Sequence, residues 1–162
     1  MNLKFNSMKT KSLNTQHFIP YEIEINYKRP LYNSTKLISN AEDAEKILRT
    51  FLDKNKIDLK EYFLVILLSN SNRVLGISQV AVGSTKGVII NTKEIFQLVL
   101  KSNATAIIIA HNHPSGKLTI SESDKKQTQR LKKIAEIMEV NVLDHIIITS
   151  ESYTSFVNEG EL

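Results

Sequence analysis

His111 and His113 stand two residues apart, and Asp124 follows eleven residues after the second histidine. Imidazole and carboxylate are the ligand types that zinc takes when no thiolate is offered. On extended backbone, side chains at i and i+2 point the same way, so both imidazoles can reach one ion. Asp124 would complete a three-ligand set and leave a fourth position for water, the open arrangement of a catalytic zinc. Plainer readings stand beside this one. Ser121-Glu122-Ser123-Asp124 is also a helix start, with Ser121 as N-cap and acidic residues in the first turn. His111-Asn112-His113 alone could be a polar loop, since short motifs misfire.

The elements around these residues favour the metal. Ala104 to Ala110 reads as a buried strand running into the first histidine. Pro114-Ser115-Gly116 turns the chain, and the next helix, about Glu122 to Glu139, carries Asp124 near its start. Strand end, loop and helix N-terminus then converge where α/β sheets tend to place ligands. Upstream, residues 1–17 form a polar tail with His17 at its end, and Tyr21 to Tyr27 alternates as a strand. A helix follows from about Ala41 to Asp53, with Ala44, Ile47, Leu48 and Phe51 facing the core. Phe63 to Leu68 is a buried strand, and Arg73 to Val82 returns as the second arm of a hairpin. By alternation Leu75, Ile77, Gln79 and Ala81 share one face there, which leaves Gln79 polar on an apolar surface. A helix from Asn91-Thr92 to about Ser102, a strand from Asn141 to Thr149 and a short edge strand from Tyr153 to Phe156 complete the series. Strands alternating with helices, plus one hairpin, predict a single α/β domain over residues 18–162 with a mixed sheet covered on both faces.

Composition narrows the function classes. The 162 residues suit one domain with a proper core. Cysteine is absent, which removes disulfides, thiolate metal sites and cysteine nucleophiles, and suits a reducing cytoplasm. The same absence argues against a zinc deaminase, whose site needs Cys ligands. No apolar run reaches ~18 residues, so no membrane span is expected. A net charge of +4 permits an anionic partner without demanding one. Lys125, Lys126, Arg130, Lys132 and Lys133 make faces of the last helix basic. A solvated surface explains such a run more often than nucleic acid does.

The pattern His111-x-His113-Pro114 followed by Ser121-x-x-Asp124 resembles the signature of the JAMM (MPN-type) zinc metalloproteases. With Leu143-Asp144-His145 and Tyr153-Thr154-Ser155-Phe156, the run His111-Asn112-His113-Pro114-Ser115-Gly116 is similar to the bacterial RadC-like proteins, and the likeness extends over Tyr21 to Gly160. The resemblance implies a three-layer α/β/α sandwich and one zinc ion held by His111, His113 and Asp124. It implies that Ser121 stabilises an oxyanion, that a glutamate on the hairpin moves the proton, and that substrates are peptide or isopeptide bonds. Gln79 stands where that glutamate is expected, and no acid lies between Glu61 and Glu94. Two expectations arise. One is a zinc hydrolase impaired by Gln79, which would hydrogen-bond the attacking water without accepting its proton. The other is a non-catalytic zinc module, with the family's association with DNA repair, holding a protein or nucleic-acid partner in the old substrate groove. His145 is either a packed core histidine or a group that orients a metal-bound histidine.

Overall fold

A computed structural model describes residues 28, 30–31, 34–84 and 89–162. The expected tail and the Tyr21–Tyr27 strand lie outside the described residues. Helix α1 (Ala41–Phe51) begins where Asn40 accepts the Asp43 N–H at 2.9 Å, and two acidic residues occupy its positive end. Ala44 and Leu48 are buried, whereas Phe51 is 43% exposed: the helix ends there, and Leu52 takes the core position instead. Strand β1 (Tyr62–Leu68) is a continuous apolar run, as a strand covered on both faces must be. Strand β2 (Val74–Val82) returns from it. Helix α2 (Thr92–Ser102) closes on Asn103, which adopts the left-handed conformation of a C-cap. Strand β3 (Ala106–Asn112) is buried from end to end. Helix α3 (Glu122–Ile137), strand β4 (Asn141–Ile148) and the short β5 (Tyr153–Ser155) follow.

The strand order β2-β1-β3-β4-β5 makes one mixed sheet. β3 pairs antiparallel with β1 and parallel with β4, and α3 supplies the crossover between β3 and β4. Two apolar layers separate on its faces. Leu64, Ile66, Leu68, Ile108 and Ala110 pack with Ala44 and Leu48 of α1. Phe63, Val65, Ile107 and Ile109 pack with Ile95 and Val99 of α2 and with Leu131 and Ala135 of α3. The predicted three-layer α/β/α domain is therefore the fold that forms. No helix among the described residues is long and apolar enough to cross a membrane.

The hairpin departs from the expected alternation. Its register skips Leu75 between the Leu68↔Val74 and Leu67↔Gly76 pairs, and skips Val80 between Leu64↔Gln79 and Phe63↔Ala81. Each extra residue is a bulge, and beyond each bulge the side chains of β2 exchange faces. Ile77 and Gln79 consequently stand opposite Ile66 and Leu64 on the α1 side. Leu75 and Ala81 pack with the α2/α3 layer.

Candidate metal centre

β3 carries His111 out of the core at its C-terminal end, on the α2/α3 side with Ile107 and Ile109. The chain then turns through Pro114 and Ser115 to Gly116, whose φ of +75° favours glycine. It returns to α3, whose buried stripe is Asp124, Thr128, Leu131 and Ala135. Asp124 is thus the polar first member of a packing stripe, and the helix that builds the core also aims the carboxylate at the histidines.

The three predicted ligands come together. His111 Nε2 lies 2.9 Å from His113 Nε2 and 3.4 Å from Asp124 Oδ1, and His113 Nε2 lies 3.9 Å from Asp124 Oδ2. Ligand atoms around a tetrahedral zinc with bonds of about 2.0–2.2 Å are separated by about 3.3–3.6 Å, and one ligand atom from each of the three residues lies within 4.8 Å of the others, close enough for the three to converge on one small ion. The donor chemistry fits as well. His113 Nδ1 faces the carbonyl of Lys117 at 2.7 Å, and a carbonyl only accepts. The neutral ring therefore keeps its lone pair on Nε2. Asp124 Oδ2 accepts from both the N–H of Ser121 (2.9 Å) and its hydroxyl (2.6 Å), which leaves Oδ1 as the free ligand atom. The Asp124 N–H donates back to the Ser121 hydroxyl oxygen at 3.1 Å, closing a capping box. The helix-start reading of Ser121-x-x-Asp124 is therefore the observed one, and it leaves Oδ1 turned to His111, so the two readings are compatible.

Behind the ligands the polar groups are buried. His111 Nδ1 is 2.8 Å from His145 Nε2, and His145 Nδ1 is 2.6 Å from the hydroxyl of Thr128. Phe63 stacks on His111 and Phe156 on His145, which fixes both rings. Burial pushes the pKa of His111 down to about 4 and that of His145 well below its ordinary value, so both stay neutral. His145 is thus a packed core histidine and a direct partner of His111 at once.

Gln79 does not join the site. Opposed residues of an antiparallel pair share a face, and Gln79 is opposed to Leu64 in the α1 layer, where it is exposed. The carboxylate that lines the cleft beside the centre is Glu61, which lies just before β1 and was not singled out by the sequence. Phe63 is paired with His111, so two residues further along the antiparallel register Glu61 comes level with His113, on the same face. Glu61 lines a cleft of about 300 Å³ together with His113, Ser115, Lys117 and Ser121. Burial raises its pKa, an effect opposed by His113 and reinforced by the charge of Asp124.

Asn112 anchors this arrangement from the other side of the sheet. Its Oδ1 accepts from the Tyr62 N–H at 2.7 Å, and its Nδ2 donates to the carbonyls of Ile57 and Lys60 at 2.5 and 2.8 Å. The segment bearing Glu61 is thereby tied to the residue between the two histidines. Asp144 works similarly at the far edge: it accepts from the Ser155 hydroxyl at 2.6 Å and the Val157 N–H at 3.2 Å.

A three-layer α/β/α sandwich with a His-x-His strand end and a Ser-x-x-Asp helix start defines an MPN-type domain with a candidate metal centre. Residues 38–161 match the RadC-like JAB domain, and the chain belongs to that family. It is 40% identical to a UPF0758 protein of Flavobacterium johnsoniae over 125 residues, 77% of this chain and 53% of the relative. It is 47% identical to a UPF0758 protein of Pelobacter propionicus over 103 residues, 64% of this chain and 45% of the relative. A UPF0758 protein of Staphylococcus haemolyticus is 36% identical over 129 residues, 80% of this chain and 55% of the relative. The chain spans about half the length of these relatives.

Proposed function

We propose that this domain is a zinc-dependent hydrolase of peptide or isopeptide bonds, with Glu61 as its proton-transferring group. The observation that carries the reading is the presence of Glu61 in one cleft with His113 and Ser121, beside the His111-His113-Asp124 set. His111 Nε2, His113 Nε2 and Asp124 Oδ1 would hold the ion. Zinc at such a position polarises the scissile carbonyl and acidifies water.

The chain's own residues do the remaining work. Glu61, with its pKa raised by burial, takes a proton from the attacking water and delivers it to the leaving nitrogen as the C–N bond breaks. The Ser121 hydroxyl, at the cleft wall, turns from Asp124 to donate to the developing oxyanion. The N–H of Ser121 keeps Asp124 in place meanwhile. The reading of the domain as a non-catalytic module rests on Gln79, which sits on the other face of the sheet and has no part in this chemistry. The test is a zinc-loaded domain assayed on peptide and isopeptide-linked substrates beside Glu61→Gln. Zinc-dependent cleavage lost in that variant is expected. Cleavage that survives it at the wild-type rate would remove Glu61 from the mechanism.

A further inference from the structure

Thr128 and His145 form a proton-fixing chain that ends on the metal-facing nitrogen of His111, and its direction is set by a backbone carbonyl. The Thr128 hydroxyl lies 2.7 Å from the carbonyl oxygen of Asp124. Two oxygens at that separation need a proton between them, and only the hydroxyl has one to give. Its oxygen therefore accepts from His145, 2.6 Å away, so His145 carries its proton on Nδ1. A neutral imidazole has one N–H, which leaves a lone pair on His145 Nε2. His111 Nδ1, 2.8 Å from that lone pair, must then be the protonated nitrogen of its own ring. The lone pair of His111 is left on Nε2, where His113 and Asp124 converge.

We infer that Thr128 and His145 are positioning residues that hold His111 in the tautomer able to bind metal, and that the Thr128 hydroxyl is the switch of the set. Reversing that one hydroxyl reverses the whole chain. With the hydroxyl gone, His145 Nδ1 has no acceptor and its proton moves to Nε2. That N–H donates to His111 Nδ1, and the proton of His111 is forced onto the nitrogen that should face the ion. All three side chains are sealed from solvent, with Thr128 and His145 at 0% and His111 at 1% exposure, so water does not correct the pattern. The sequence offered a signal: Thr128 is one helical turn beyond Asp124 on the same face.

The inference rests on the metal reading of His111, His113 and Asp124, and the experiment separates the two. Thr128→Val keeps the shape and removes the hydroxyl; Thr128→Ser keeps the hydroxyl. Zinc affinity is measured by competition with a chromogenic chelator. The histidine tautomers of the metal-free proteins are read from ¹⁵N chemical shifts. Expected is a roughly 10- to 100-fold loss of zinc affinity in Thr128→Val, wild-type affinity in Thr128→Ser, and a His111 proton that moves from Nδ1 to Nε2 in the valine variant alone. Equal affinity and an Nδ1-protonated His111 in both variants would overturn it. If Thr128→Val does not fold, the wild-type spectrum decides, since His111 protonated on Nε2 there contradicts the chain of bonds. A wild type that binds no zinc but shows both rings protonated on Nδ1 would sink the metal reading and leave the tautomer chain standing.

Discussion

His111 and Asn112 are neighbours on β3, both buried, and they serve opposite faces of one sheet. On the α2/α3 side, His111 stands between a buried string, His145 and Thr128, and His113, which lines a solvent-facing cleft. On the α1 side, Asn112 spends its amide on three backbone bonds. The histidine side supplies candidate ligand atoms, and the asparagine side fixes where the segment before β1 runs. Chemistry and scaffolding are thus divided between adjacent residues by the alternation of a strand.

Breaking the reactive side should produce the largest effect. Glu61→Gln is expected to lower turnover by about 100- to 10,000-fold while zinc content, measured by elemental analysis, stays at one per chain. Loss of metal in that variant would mean Glu61 is a ligand and not a base. His113→Ala should abolish both zinc and turnover.

The scaffold side should respond in stability first. Asn112→Ala leaves a buried N–H and two carbonyls without their partner, and a cost of about 3 kcal/mol in urea unfolding is expected. Turnover should fall with it, because Glu61 loses its anchor, while zinc affinity of the folded fraction changes little. A variant of wild-type stability would show that water replaces the amide.

Acid sharpens the contrast further. Folding holds the pKa of His111 at about 4, below its ordinary value of 6.5, so the unfolded chain binds that proton first as pH falls. Metal-free protein should therefore lose stability progressively as pH drops from 6.5 towards 4, with no further contribution from this group below that. Melting temperatures across that range check the sign. A curve flat through it would show that His111 is not buried as a neutral ring.

The smallest effect is expected at Gln79. Exposed on the α1 side, it should tolerate Gln79→Ala with a stability change within ~0.5 kcal/mol, and Gln79→Glu should not raise hydrolysis. A large gain from Gln79→Glu would instead mean that the hairpin is bulged differently in solution.

The candidate ligand cluster was legible in the sequence because His111, His113 and Asp124 all lie within one strand, turn and helix start, where spacing alone fixes geometry. The sheet was legible too, since β1 and β3 are runs of apolar residues. Gln79 was misplaced for a definite reason: alternation counts residues, and the two bulges at Leu75 and Val80 each add one without changing composition. Glu61 was missed because its meeting with His113 depends on the antiparallel register of β1 on β3, a long-range pairing that local pattern does not specify. Thr128 was hidden by its ordinariness, as a threonine on a buried helical face.

The Ser121–Asp124 capping box bears on how this motif changes over generations. Asp124 serves two ends in this geometry, with Oδ1 facing His111 and Oδ2 closing the cap of α3. A descendant without the metal would still lose half of the capping box on replacing this aspartate, since its Oδ2 accepts the Ser121 N–H. The serine and aspartate can therefore outlast the chemistry, whereas His113, with no cap to maintain, would drift early. In this fold a Ser-x-x-Asp by itself therefore says little about metal, and the second histidine, which closes no cap, says a good deal.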